Sequence, residues 1–398
     1  MRDGEVTRRA GGAAADVGYL THTSRPRAVA KGHILGFPCA VEKPPAQPPF
    51  DLQSHRGGRG QWTESSLYAF ARSLELGVTT LELDTHLTQD GVVLVWHDHT
   101  IETAKCQDTA PATPNDPDFP YVGDRVRDLT YAQIQTLDCG YQQLPGYPQQ
   151  MVVERNRIAT LEQLFELVRD HRADGVGFNI ETKVEDPSNA AERDALVDAV
   201  LEQIYTNGWP ERTQLQSFDW AALDRTAPVA PELELVALAE AENPGGAGLT
   251  PQEVADRGYD VWSPQHVVLT QANIAQAHDL GLKVAPWTVN DPADMARLMD
   301  WGVDGLITDY PWQLRQLMQQ RGMPLPTAYA AQDQPSDPQA RPGRSGTAPG
   351  KARPAESPAS TGGPDSPGRE HGHSQGRGPE HKQGPKQGQH GAGTPGRN

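Results

Sequence analysis

Between Thr79 and Thr100 the chain reads TTLELDTHLTQDGVVLVWHDHT, which sets Glu82, Asp84, Asp90, His97, Asp98 and His99 in one otherwise apolar stretch. Burying charge is costly unless the charge is paired or binds a metal, so these residues need a reason beyond folding. Side chains two apart on a strand share a face. Glu82 and Asp84 therefore point one way, and so do Glu181 and Lys183 further along. Glu82, Asp84 and Glu181 make a three-carboxylate set able to hold one hard divalent cation through oxygen. His55 and His97 titrate near neutral pH. Arg56 and Lys183 add fixed positive charge suited to a phosphate. A base, an acid and a charge sink suit in-line displacement at phosphorus. A single strand-end histidine is more often structural. The joint placement of these groups at successive strand ends argues for chemistry. Asp90, His86 and His99 lack that support and are left as surface or supporting residues.

Alternating strands and helices must position these groups. From Asp51, DLQSH reads as a strand and TESSLYAFARSLELG as a helix, with Thr63 as its cap and Gly77 as its stop. VTTLELD and GVVLVWH are strands split by a TQDG turn. Residues 101–158 break the rhythm and are too long for an ordinary connection, so they form a cap or lid. The alternation then resumes through GVGFNIETK, TQLQSF, ELELVALA, YDVWSP, LKVAPWTVN and VDGLITDYP, and WQLRQLMQQR closes the domain. This rhythm implies a parallel sheet, and the size favours an α/β fold of the (β/α)8 TIM-barrel type over residues 50–321. One strand is in excess, either YDVWSP or GVVLVWH. In such a barrel the active site lies at the C-terminal strand ends, where the charged residues fall.

Composition bounds the rest. Of 398 residues, 36% are hydrophobic, and the net charge is −17. Residues 1–49 lack periodic pattern and are expected to be poorly ordered. Residues 322–398 are a Gly/Pro-rich tail with almost no large apolar residue, expected to be disordered. The tail is slightly basic, so the folded part is more acidic than the total implies. An acidic body disfavours nucleic acid as partner, while a bound cation still allows an anionic small molecule. The tail histidines His371, His373, His381 and His390 are assigned to disorder. No apolar run is long enough to span a membrane. Cys39, Cys106 and Cys139 lack metal-ligand spacing; either they are three unrelated thiols, or Cys106 and Cys139 pair and leave Cys39 free. The N-terminus as written carries no signal-peptide pattern, which points to the cytoplasm; a start elsewhere and a Cys106–Cys139 disulfide would point to export. Oligomeric state is not legible.

HRGGRG with TESSLYAF, then LELD, WHD, NIETK, QSF, PWTVN and VDGLITDYP, in this order and spacing, resemble the glycerophosphodiester phosphodiesterase family. The resemblance implies a (β/α)8 barrel and metal-dependent hydrolysis of glycerophosphodiesters to glycerol 3-phosphate and an alcohol. It implies that His55 and His97 are the acid/base pair. Glu82, Asp84 and Glu181 would hold one Ca²⁺ or Mg²⁺, and Arg56 and Lys183 would contact the phosphate. Phe218 and Trp287 would line the glycerol side. A glycerol hydroxyl would attack phosphorus first, giving a cyclic phosphate that water opens. The family has Glu-Asn after the HRG turn, and here Glu64-Ser65 stands there; Glu64 is kept with the substrate-binding set. The 101–158 insertion, with KCQDT and LDCG, resembles that of longer, often exported members. It would cap the site, help choose the leaving alcohol and favour the disulfide. Its few large apolar residues (Phe119, Tyr121, Tyr141, Tyr147) favour a polar substrate. The alternatives are phospholipase D-like action on lysophospholipid, hydrolysis of a glycerophosphate polymer, and a non-catalytic barrel that binds phosphate esters.

Overall fold

The computed structural model describes residues 49–240 and 250–330. Cys39, the tail histidines and nearly all of both segments expected to lack order lie outside the described residues. The elements are β1 (Asp51–His55), α1 (Leu67–Leu76), β2 (Thr80–Leu87), β3 (Val93–Val95), β4 (Cys106–Gln107), α2 (Tyr131–Ile134), β5 (Asp138–Cys139), α3 (Leu161–Asp170), β6 (Gly177–Thr182) and α4 (Ala190–Thr206). They continue with β7 (Thr213–Ser217), α5 (Trp220–Thr226), β8 (Glu234–Ala239), α6 (Pro251–Asp256), β9 (Val261–Pro264), α7 (Gln271–Asp279), β10 (Lys283–Val284), α8 (Pro292–Trp301), β11 (Gly305–Thr308) and α9 (Pro311–Gln320).

Parallel pairing runs β10-β9-β8-β7-β6-β2-β1-β11. The ends meet through Asp304 N–H to Val284 O (2.9 Å), Ile307 N–H to Pro286 O (3.1 Å) and Val289 N–H to Ile307 O (2.9 Å). These bonds close an eight-stranded (β/α)8 barrel. YDVWSP supplies the barrel strand β9. The strand in excess is GVVLVWH: β3 pairs antiparallel with the outer end of β2, Thr85 opposite Val95. A short Gly-containing turn can join only antiparallel neighbours, because a parallel return needs a crossover. His97 is thus on a hairpin, not at the end of a parallel strand as the spacing suggests.

Each barrel strand divides its side chains between two environments. On β2, Leu81 and Leu83 enter the hydrophobic shell beneath the helices, with Phe70, Leu74, Phe165 and Phe178. Inside the barrel, amides form a chain: Asn179 Nδ2 donates to Gln53 Oε1 (2.8 Å) and Gln216 Oε1 (3.0 Å), and Gln216 Nε2 donates to Glu82 Oε1 (2.6 Å). The helices start where the sequence supplies caps. Thr160 with Gln163 and Thr270 with Asn273 form reciprocal capping boxes on α3 and α7. The cap of α1 is Ser66, whose hydroxyl accepts from Ala69 N–H, and not Thr63. Thr63 Oγ1 is committed to the insertion instead, accepting from Val153 N–H (3.0 Å).

The insertion has a core of its own. Ile101, Tyr121, Ile134, Leu137 and Ile158 pack on Leu94 and Trp96 of the hairpin. β4 and β5 pair antiparallel and carry a Cys106–Cys139 disulfide. Residues 322–330 continue from α9 past Arg321, and Tyr329 packs on the barrel core with its N–H on Leu74 O (2.8 Å). Among the described residues, no helix is long and apolar enough to cross a membrane.

Candidate active site

β1 delivers His55, and the chain turns at once through Arg56 and Gly57 at positive φ (50° and 77°). Gly57 is required, since a Cβ there would lie 2.9 Å from Ala69 Cβ. Arg56 occupies a region that side chains disfavour. It is held there by its own bonds. Its N–H donates to Glu82 Oε2 (3.0 Å), and its guanidinium lies between Asp84 (3.2 Å) and Glu64 (3.4 Å).

Glu82 and Asp84 share the inward face of β2, and the register of β6 sets Glu181 opposite Asp84. All three are buried, and each offers an oxygen within 4.8 Å of the others. Burial and the neighbouring Asp84 push the Glu82 carboxyl well above the carboxylate range. Burial also raises Glu181, to about 7, with the Asp84 charge adding to it. Asp84 goes the other way: burial would raise it, but Arg56, His97 and Lys183 outweigh that and hold it ionised. Lys183 Nζ is 3.0 Å from Glu181 and 3.8 Å from Asp84. Asp84 Oδ2 receives no hydrogen bond, only the ionic contact with Arg56. Clustered buried oxygens with unspent lone pairs and excess negative charge fit a hard divalent cation.

Each histidine is backed by a carboxylate. His55 Nδ1 is 2.6 Å from Asp309 Oδ1. An ionised carboxylate only accepts, so Nδ1 carries the proton and Nε2 is left facing Glu82, 3.9 Å away. Asp309 is fully buried and also receives Arg59 Nε (2.9 Å), Asn290 Nδ2 (2.7 Å) and the Tyr147 hydroxyl (3.1 Å). Burial, together with the Arg56 charge, lowers His55 to about 4, which keeps its imidazole neutral. His97 Nδ1 lies 2.8 Å from Asp98 Oδ1, and Lys105 of the insertion donates to the other Asp98 oxygen. Burial lowers His97 as well. His86, on β2 opposite Leu94 of β3, is buried, and its Nε2 bonds the His97 carbonyl (3.1 Å).

These groups surround one cavity of about 380 Å³, lined by His55, Arg56, Glu82, His97, Glu181 and Lys183. Its other wall carries Phe218 and Trp287, packed edge to face 5.4 Å apart. The predicted residues thus line it, apart from Asp84, which belongs to the carboxylate cluster without lining the cavity, and Glu64. Glu64 stands behind Arg56, also takes Lys105 (2.7 Å), and is held down to about 2 by Arg56, Lys105 and Arg59 against the effect of burial. Asp309, Arg59, Lys105 and Tyr147 were not legible as site residues. Asp309 is visible only as the residue after the last strand, and Lys105 and Tyr147 lie in an insertion without periodic pattern.

Residues 55–313 match the glycerophosphoryl diester phosphodiesterase family. A curated glycerophosphodiester phosphodiesterase of Caldanaerobacter subterraneus subsp. tengcongensis is 30% identical over 272 residues, covering 68% of this chain and 98% of its own. A crystal structure from Silicibacter pomeroyi DSS-3, provisionally described as a glycerophosphoryl diester phosphodiesterase, shares 32% identity at a TM-score of 0.61 and covers 69% of this chain and 95% of its own. An Oleispira antarctica phosphodiesterase, solved in complex with the product sn-glycerol-3-phosphate, shares the fold at 20% identity and a TM-score of 0.54, with 68% and 96% covered. With the barrel, the carboxylate cluster and the paired histidines in place, the chain belongs to the glycerophosphoryl diester phosphodiesterase family.

Proposed function

We propose that this protein hydrolyses glycerophosphodiesters to sn-glycerol 3-phosphate and an alcohol, with His55 and His97 as the acid/base pair. The observation that carries this reading is the meeting of two carboxylate-backed imidazoles with a buried three-carboxylate cluster around one cavity. Glu82, Asp84 and Glu181 would hold one divalent cation, Ca²⁺ or Mg²⁺; oxygen donors suit both. When bound, that cation supplies positive charge against the phosphate oxygens as negative charge builds on them.

Arg56 and Lys183 add cationic groups at the same wall and orient the phosphate. Asp309 and Asp98 each hold an Nδ1–H, so each Nε2 is free to exchange a proton with substrate. One imidazole takes the proton of the attacking hydroxyl. The other, charged, returns a proton to the alcohol oxygen as its bond to phosphorus breaks. The roles then reverse for the attack of water. Phe218 and Trp287 form the apolar wall against which a glycerol carbon chain can rest.

Purified protein given glycerophosphocholine, lysophosphatidylcholine or a glycerophosphate polymer tests the substrate class. The reading expects glycerol 3-phosphate and choline from the first, with the largest kcat/KM. Turnover confined to the lipid or the polymer would transfer the assignment to that substrate. Binding of glycerophosphodiesters without turnover of any of the three would leave a phosphate-ester-binding barrel.

A further inference from the structure

The insertion does not rest loosely over the cavity. Its residues grip the stretch from Arg59 to Thr63 that follows the His55 turn: Met151 N–H donates to Gln61 O (2.7 Å), Gln150 Nε2 to Arg59 O (2.8 Å) and Val153 N–H to Thr63 Oγ1 (3.0 Å). From this anchored frame two side chains reach inward, one to each histidine–carboxylate pair. Lys105 precedes the disulfide-linked Cys106 and bonds Asp98, the partner of His97. The same ammonium donates to Glu64 Oε1 (2.7 Å), which braces Arg56, and it lies 5.4 Å from the centre of the Trp96 ring. On the far side, Tyr147 donates to Asp309, the partner of His55, and its ring stacks on Arg59 at 5.0 Å.

We propose that Lys105 and Tyr147 are positioning residues for the hydrolysis, so that the insertion completes the catalytic apparatus as well as covering it. This rests on the two-histidine reading above. Lys105 carries more of the effect. Asp98 and the His97 ring are partly exposed, and the cation is what fixes the carboxylate in one orientation. Asp309 keeps Arg59 and Asn290 when Tyr147 is lost, so Tyr147 carries less.

The test is steady-state kinetics of the intact protein on glycerophosphocholine, with unfolding temperature measured alongside. Lys105→Met is expected to lower kcat about 10–100-fold, the usual effect of losing a group that orients an active-site ligand, with KM within about 3-fold of wild type. Lys105→Arg should restore most of the rate, because a guanidinium can bond both carboxylates. Tyr147→Phe should lower kcat only about 3–10-fold. Lys105→Gln, which keeps one donor, carries the comparison if the methionine variant does not fold. Wild-type kcat in Lys105→Met, or a loss confined to KM, would overturn the proposal while leaving the two-histidine reading intact. An inactive wild type would instead remove that reading. ¹⁵N NMR of the His97 ring then decides the positioning claim: Lys105→Met should move the Nδ1 resonance, and an unmoved resonance would contradict it.

Discussion

The two histidines reach one cavity by different routes. His55 ends β1 and Asp309 follows β11, neighbouring strands whose register sets Ser54 opposite Thr308. Their meeting follows from barrel closure, and their side chains are 9% and 0% exposed. His97 and Asp98 hang on an antiparallel hairpin outside the barrel order and are 29% and 21% exposed. The barrel itself orients the first pair. The second is held by Lys105 of the insertion and by the bond from His86, within the same hairpin, to the His97 carbonyl. One histidine–carboxylate pair is thus built into the scaffold, and the other is added to it.

Removing either imidazole breaks the comparison outright. His55→Ala and His97→Ala should each lower kcat by about 10²–10⁴-fold, the range for a lost general acid or base, with circular dichroism unchanged. Near-wild-type turnover in one would mean that a single histidine suffices. The carboxylates sharpen the contrast. Asp309→Asn should cost about 100-fold in kcat and Asp98→Asn about 10-fold, because only the buried pair lacks water as a substitute acceptor. Equal losses would show that burial does not separate the pairs.

A smaller effect lies in stability against pH. His55 is lowered to about 4 from an ordinary 6.5, so its contribution is present above about 6.5 and is lost as pH falls toward 4. Glu181 is raised to about 7, so its contribution is present below the ordinary 4.5 and is lost as pH rises through 7. A cation on Glu82, Asp84 and Glu181 offsets the second loss. A fixed concentration of Ca²⁺ or Mg²⁺ should therefore raise the unfolding temperature more near pH 8 than near pH 5; at one hundred times the pH 8 Kd it adds roughly 2–3 kcal/mol of stability at pH 8 and less at pH 5. Differential scanning calorimetry at both pH values checks this, and an equal increment at both would contradict it.

How far the site was legible follows the same division. Glu82, Asp84, Glu181 and Lys183 could be read from the strand period, because alternation in a parallel strand decides which side chains face the barrel mouth. His97 was found, but its support was misread, because VVLVWH has the same apolar pattern in a barrel strand and in a returning hairpin. Asp309 had no periodic signal to mark it, since its four donors come from scattered places: His55 at the end of β1, Arg59 and Asn290 in the loops after β1 and β10, and Tyr147 in the insertion. Tyr147 is far from Asp309 in sequence, and Lys105, although only seven residues past Asp98, sits in a stretch with no strand or helix period to aim it, so the folded insertion sets both contacts. The short insertion helix and its Pro-rich flanks also hid a compact core built on Trp96 and closed by Cys106–Cys139. The Thr63 cap failed because the helix starts only at Leu67, where Ser66 caps it, while the insertion holds Thr63.

In the proposed reaction the cluster of Glu82, Asp84 and Glu181 works together with the two histidines. Glycerol 3-phosphate release from glycerophosphocholine, measured with EDTA and then with Ca²⁺ or Mg²⁺ restored, tests it most directly when wild type and Glu181→Ala are run together. EDTA should abolish release, one of the two cations should restore it, and Glu181→Ala should need far more cation to recover a fraction of the rate. Full activity in EDTA, with Glu181→Ala unaffected, would contradict it.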